Sequence, residues 1–532
     1  MAAMELETAA EASLKPPPVL TDYFAPHVLL EVLNFLDLKS LATGAQTCRM
    51  MYLVADVLLD RPTWKVYQGP QLQSVVPGKP SAANLPHSWV QFARDQLIKE
   101  NVMGRPNVGF LTMKSFFPAN FDIGGLFPAD TSIIGAMSKR IVGVDSRNRV
   151  LENDNGAFHF SSLALATLPG VETFTFEATA ENLQSPASVD AIFDQLADRG
   201  VAWKVFVLHI TADCENAELF LKALNERFPG SQLVGGLVEP HPRALMSLHN
   251  GVTHVFGEGL VGMAMAGDLV FNSQVSHANH PLSDPFVITS CKGDQIYKVR
   301  PYKEGEETKT GCDNDSSNDG MSVLDPIFRV IQATGGNVPF FVGLGDDAES
   351  GYELHQLTSI ARNRNGMETG IQLGYDLDLQ AGQHIRIFGL ESKSALNDVE
   401  ARLQAAQETC AELAKMPLGG LLFTCGGRGL QFYGRSEVES SIFQRKLPGT
   451  PLSGIFALGE VGPAALAGSK PGSLKRADPK LQGFTAVFGV WFVPRFNRPN
   501  MDRFKKQQED ETGKVLLERR EKAALVRVCR SS

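Results

Sequence analysis

Apolar residues along this chain change their spacing partway through. From Leu20 to about Tyr67 they recur every three or four positions. Val28, Leu29, Val32, Leu33, Phe35 and Leu36 fall on one stripe, and Leu41, Ala45, Cys48 and Tyr52 begin the next. That period predicts two or three short helices, with Asp37 as an N-cap between two of them. So small a unit buries little surface alone and relies on a neighbour or a partner. Residues 1–19 are small, polar and proline-terminated, as in a disordered leader. Residues 68–105 read as a Pro/Gly-rich linker with one helix in SWVQFARDQLIKEN. From residue 106 the runs become strand-like: VGFLTM, SIIGAM, RIVGV, KVFVLHI, QLVGGLV, GLVGMAMAG, FVIT and, near 484–494, FTAVFGVWFVP. Helices are expected near 186–199, 322–334 and 395–416. Another is expected in NAELFLKALNERFPG, where Leu219, Phe220, Leu224 and Phe228 share a face and Pro229-Gly230 closes it. Residues 303–321 carry almost no apolar side chain and predict an exposed insertion; 496–532 form a charged tail. The fold class is α+β: a small all-α head, then a large two-part α/β domain with mixed or antiparallel sheets.

Composition narrows the function. A length of 532 residues predicts two to four domains, and 43% hydrophobic with 20% charged residues is globular. A net charge of −9 excludes a globally basic surface for gripping nucleic acid. The seven cysteines, at 48, 214, 291, 312, 410, 425 and 529, form no CxxC pair and favour a reducing compartment. His277 and His280 (HANH) lack partners at zinc-ligand spacing, so no metal is expected. No Walker loop, HExxH or GxSxG elbow occurs, and the glycines of GEGLVGMAMAG are too irregular for a dinucleotide site, so no cofactor is expected. The acidic N-terminus is no signal peptide, and no apolar run approaches the roughly 18 residues of a membrane span. A cytoplasmic or nuclear protein, free of membrane and nucleic acid, is the expectation.

One stretch invites chemistry. LLFTCGGRGLQFYG, residues 421–434, sets an arginine among three glycines between two strand-like runs. It is either a tight hairpin with an incidental charge or a place where an anion is held. Arg428 offers a planar fork of donors for a carboxylate, and the amides of Gly426, Gly427 and Gly429 can line an anion-binding concavity. Glu460, in a second glycine-flanked turn, can receive an ammonium group, so that the two read both ends of an amino acid. Alternatively Arg428 and Glu460 pair and lock two hairpins; the readings do not exclude each other. Cys425 is a buried strand cysteine or, given a base, a nucleophile. Gly235 and Gly236 either close a strand against another backbone or line a cleft.

Two resemblances draw these pieces together. The head resembles an F-box: Pro26, Leu29, Leu30, Val32, Leu33, Phe35, Leu36, Leu38, Leu41, Cys48-Arg49 and Trp64 match its pattern. Thr47 stands where that pattern has Val, and Met51 where it has Trp. A helical cap on the next domain is the other reading. CGGRGLQFYG followed by LPGTPLSGIFALGEVGP resembles the C-terminal half of the FIST sensory domain, through Cys425, Gly427, Arg428, Gly429, Phe432, Tyr433, Gly434, Glu437, Glu439, Pro451, Gly454, Phe456, Gly459 and Glu460. LVGGLV and GLVGMAMAGD resemble its N-terminal half. The resemblance implies an F-box over 20–67, a FIST N-terminal part over 106–265 and a FIST C-terminal part over 266–495. It implies a non-catalytic substrate receptor of an SCF-type ubiquitin ligase. Pro26, Leu29, Leu30, Leu33, Phe35, Leu36, Leu41 and Trp64 would meet a Skp-type adaptor and, through it, a cullin scaffold. The FIST body would take a target protein or a small amino-acid-like ligand through Arg428, Gly427, Gly429, Glu460, Gly235 and Gly236. A stand-alone sensor with a degenerate F-box, and an enzyme built on Cys425, are the alternatives.

Overall fold

The computed structural model describes residues 62–68, 90, 91, 93–95, 106–153, 161–304, 320–336, 339–347, 351–355, 357–362, 368–373, 377, 379–413, 415–464, 466, 467 and 479–494. The expected helical head up to residue 61, the stretch 305–319 and the tail from 495 lie outside them. Among the described residues no helix is long and apolar enough to cross a membrane.

Three six-stranded sheets share one plan. The first, in order, is Thr63–Gln68, Ser161–Thr167, Val108–Met113, Ser132–Met137, Leu245–His249 and Val252–Phe256. The second is Val171–Thr179, Gly259–Gly267, Trp203–Thr211, Gln232–Val238, Glu460–Pro463 and Pro479–Gln482. The third is Val270–His277, Thr485–Pro494, Lys415–Cys425, Leu452–Ala457, Ile141–Val144 and Val150–Asn153. In each, successive neighbours pair antiparallel, antiparallel, parallel, antiparallel, antiparallel. The last two strands of every sheet are a hairpin supplied by another unit. Unit one lends Ile141–Val144 and its partner to unit three, unit two lends Leu245–His249 and its partner to unit one, and unit three lends Glu460–Pro463 and its partner to unit two. The chain is therefore a three-fold repeat with cyclically exchanged hairpins.

The repeat reaches single residues. At the middle of each parallel pair a leucine stands opposite a glycine: Leu111 and Gly135, Leu208 and Gly235, Leu422 and Gly454. A Cβ on Gly235 or Gly454 would come within 2.3 Å of the opposing leucine carbonyl oxygen, so the close approach requires glycine.

The central strands read as unbroken apolar runs because both their faces are covered. In Trp203–Thr211, Val205 and Val207 face the core common to the three sheets, while Phe206, Leu208 and Ile210 face the helices Pro186–Ala197 and Ala217–Arg227. Those helices begin and end near the expected positions. Leu219, expected on the buried face of the second, is 67% exposed; Leu221 is buried in its place. A nine-stranded antiparallel sheet, with the helix Leu324–Thr334, is inserted into the third unit between Val270–His277 and the helix Ser392–Glu412.

Two expected boundaries shift. Residues 63–67, placed in the head, belong with Gln68 to the edge strand Thr63–Gln68 of the first sheet. The cut at 265/266 falls inside Gly259–Gly267, and the exchanged hairpins cross it in both directions. Trp64, expected at an adaptor surface, is 3% exposed. Its ring lies 4.8 Å from that of Trp491 and 5.8 Å from that of Phe110, in the common core.

Candidate functional site

The strand Lys415–Cys425 leads into a single 3-10 turn, Gly426–Arg428, then the short helix Leu430–Tyr433 and the helix Val438–Lys446. The stretch is thus a strand-to-helix junction and not a hairpin. The next strand, Leu452–Ala457, pairs in parallel, and a parallel partner needs a crossover.

Arg428 is turned inward and is 1% exposed. Its Nε donates to Glu439 Oε1 at 2.7 Å; Nη1 donates to the carbonyls of Ser276 (2.9 Å) and Phe484 (3.2 Å); Nη2 donates to Ser276 Oγ (3.2 Å) and the Tyr433 hydroxyl (3.1 Å). These engage all five N–H donors of the guanidinium. The Tyr433 hydroxyl in turn donates to Glu439 Oε1 at 2.7 Å. The residue expected to receive a ligand carboxylate is a clamp that ties the junction to strands on either side of the nine-stranded insertion. Its ion-pair partner is Glu439, not Glu460. Burial by itself lowers the Arg428 pKa, but Glu439 and Tyr433 outweigh it and hold it above the ordinary value.

Glu460 lies across the junction with no exposed surface. Its Oε2 accepts from the Thr485 amide (3.1 Å) and hydroxyl (2.8 Å), while Oε1 has no hydrogen-bond partner. Burial raises its pKa to about 8, against the lowering effect of Thr485 and Arg428. Cys425 stands beside it, half-buried, its thiol pushed up to about 11 by burial and then by the Glu460 charge. A thiol held protonated is a weak nucleophile.

The repeat shows what is peculiar about this place. One residue beyond each leucine–glycine pair, three residues line up across three strands. They are Thr112, Ala136 and Leu245 in the first sheet, and Phe423, Ile455 and Ile141 in the third. In the second they are His209, Gly236 and Glu460. Leu245 and Ile141 are fully buried, so the fold packs this position with aliphatic side chains in two sheets out of three and with a carboxyl in the other. His209 is 3% exposed, its Nδ1 has no partner, and burial lowers its pKa to about 4, so it is neutral. Its ring lies 5.6 Å from that of Phe423.

The remaining glycines divide. A Cβ on Gly236 would come within 2.9 Å of Ala457 Cβ and 3.0 Å of Phe423 Cδ1, so units two and three meet there. Gly235 only admits the Leu208 carbonyl. The Gly427 amide donates to Cys425 Sγ at 3.4 Å, and Gly429 caps the short helix with ordinary extended backbone. Phe484, at φ 56°, holds a left-handed conformation that costs a bulky residue energy. Arg428 grips its carbonyl, and its ring lies 6.2 Å from that of Phe341. The structure thus gathers Gly236, Cys425, Gly427, Glu460 and Thr485 at one junction, with Arg428 behind them. His209 and Thr485 were not foreseen, and Glu439 entered only as part of the family resemblance, without a role. His209 had a signal, a polar residue inside KVFVLHI; Thr485 had none. Among the expected adaptor residues, Pro26, Leu29, Leu30, Leu33, Phe35, Leu36 and Leu41 lie outside the described residues.

Both buried groups tie stability to pH. Glu460 binds its proton more tightly folded than unfolded, so its contribution is complete below pH 4.5 and is lost as pH rises towards about 8. His209 does the reverse, its contribution growing from about pH 4 to 6.5. The slopes oppose up to pH 6.5, and above it Glu460 acts alone. Unfolding free energy is expected to fall between pH 6.5 and 8 by roughly 1.4 kcal/mol per unit at most, and Glu460→Gln to flatten that fall. Urea titrations at four pH values test this; equal slopes in both proteins would refute it.

Comparison with known proteins places the junction in context. Residues 115–300 match the FIST N domain and residues 348–463 the FIST C domain. An uncharacterized protein of Mycobacterium tuberculosis (strain CDC 1551 / Oshkosh) is 28% identical over 262 residues, 47% of this chain and 61% of its own length. One of Mycobacterium bovis is 26% identical over 260 residues, 47% of this chain and 60% of its own. F-box only protein 22 of Pongo abelii is 27% identical over 117 residues, 21% of this chain and 28% of its own. The chain therefore spans about three fifths of the mycobacterial relatives and a smaller part of the third.

Proposed function

The chain carries FIST N and FIST C domains, and from that premise we propose that it is a ligand-binding sensor mounted on an SCF-type ubiquitin ligase. The observation that carries the sensing role is the Glu460 carboxyl, sealed from water with one oxygen unpartnered, where two sister positions of the same fold are aliphatic. Keeping an unsatisfied buried polar atom costs about 1–3 kcal/mol, which a bound donor would recover. The site sits where units two and three meet, a usual place for ligands.

The ligase role draws on the F-box pattern of the head and on the 117-residue likeness to F-box only protein 22. In this reading Pro26, Leu29, Leu30, Leu33, Phe35, Leu36 and Leu41 supply an apolar face that a Skp-type adaptor covers, and the adaptor joins a cullin scaffold. Trp64 leaves that set, since it fills the body's core. The chain catalyses nothing itself; it holds a captured target near the charged ubiquitin carrier. Co-purification with a Skp-type adaptor tests this, beside a Leu33→Asp, Leu36→Asp variant. Stoichiometric adaptor, lost in the variant, is expected. A well-folded chain that recovers none would leave a sensor alone, which is the second reading.

A further inference from the structure

We propose that the Glu460 carboxyl receives the cationic head of a small primary amine entering past Cys425, and that the site prefers amines without a carboxylate. This rests on the ligand-binding reading above and names the ligand class for it. Three observations carry it. First, Oε2 is saturated by Thr485 while Oε1 has no partner, so the deprotonated carboxyl needs a donor there. Second, Ile141 and Leu245 fill the equivalent positions, so packing alone does not call for a carboxyl. Third, the guanidinium nearest the site, Arg428, has all five donors committed to Glu439, Ser276, Phe484 and Tyr433. On the far side of Gly426, Arg140 donates to that residue's carbonyl at 2.7 Å and lies over the Phe456 ring. A ligand carboxylate would find these guanidinium donors already committed, whereas an amine brings the charge that offsets the Glu460 carboxylate.

Access is from the rim. Cys425 and Gly426 are half-buried and Gly427 is exposed, so the solvent boundary runs along the turn that covers the carboxyl. Four titratable or charged groups face Glu460: Cys425 from the adjoining sheet, Arg428 and Glu439 behind it, and His209 two strands away in the same row. Burial raises the Glu460 pKa to about 8, so its proton is lost just above neutrality. An ammonium ion offsets the burial of the carboxylate and displaces that proton.

The test is calorimetric titration of the full chain with methylammonium, glycine and acetate at pH 7, in two buffers of different ionisation heat. Methylammonium is expected to bind at least tenfold tighter than glycine, with acetate silent and about one proton released per amine. Its affinity is expected to rise roughly tenfold from pH 6 to pH 7. Glu460→Gln, checked for folding by its melt, is expected to lose tenfold or more in affinity. Proton release in the unaltered chain gives a readout that no variant can confound. Glycine or acetate binding tighter than methylammonium, and weakened by Glu460→Gln, would overturn the amine assignment and leave the sensor reading standing. Amine binding unchanged in Glu460→Gln would overturn the site. No heat from these three or from a wider panel of small molecules would sink the sensor reading as well.

Discussion

Glu439→Ala is expected to destabilise the body by about 3–5 kcal/mol, because it strands a guanidinium that has no route to water. Arg428 is 1% exposed and would keep four neutral acceptors but lose its counter-charge, while the Tyr433 hydroxyl would lose the acceptor that it now shares with Arg428. Glu439→Gln also removes the counter-charge but retains an oxygen for both donors, and is expected to cost less than Glu439→Ala. Urea denaturation of the two variants beside the parent measures the difference. Equal and small losses, under about 1 kcal/mol, would mean that the clamp contributes nothing net, as happens for exposed pairs. The effect should persist at high salt, since a buried pair is barely screened.

Trp64→Ala is expected to cost a similar 3–5 kcal/mol, the range for deleting a buried aromatic side chain. The ring packs among Phe110 and Trp491, and the Trp491 ring lies in turn 4.6 Å from that of Phe271, so units one and three meet around it. Beneath it lies Gly419, where a Cβ would come within 2.1 Å of Trp64 Cγ. Gly419 itself has no side chain to enter the space that truncation leaves. The measurement separates two views of one residue. If Trp64 met an adaptor, its loss would weaken adaptor recovery and leave the melt of the free chain unchanged. The buried position predicts a large fall in the melting temperature without any adaptor present.

Much of the fold could be read from the chain because strands with both faces covered announce themselves as apolar runs. KVFVLHI, QLVGGLV and GLVGMAMAG all became central strands, and the helices at 186–197, 324–334 and 392–412 fell close to their expected limits. The exchange of hairpins could not be read. Ile141–Val144 pairs with Leu452–Ala457 more than three hundred residues away, and nothing local in RIVGV specifies so distant a partner. The leucine–glycine repeat was equally silent, since two residues in register on neighbouring strands leave no fixed spacing. At the site, Arg428, Glu460 and Cys425 stood out by residue type, but their roles depended on partners fixed by the fold. Arg428 found Glu439 because a crossover helix follows the turn, where the expected hairpin would have led elsewhere.

The cyclic exchange bears on how the chain is made. No unit owns a complete sheet: the first waits for residues 245–256, the second for 460–482, and the third needs a hairpin translated near the beginning. A ribosome that has released the first two units has completed the first sheet but left the second with an unpaired edge and the hairpin at Ile141–Val144 without its sheet, each a template for mispairing. Native closure comes only when the strand Thr485–Pro494 emerges and pairs on both its sides. Contacts so remote in sequence fold slowly. Such open edges make the incomplete chain prone to aggregation, and a premature stop before residue 494 leaves them unpaired.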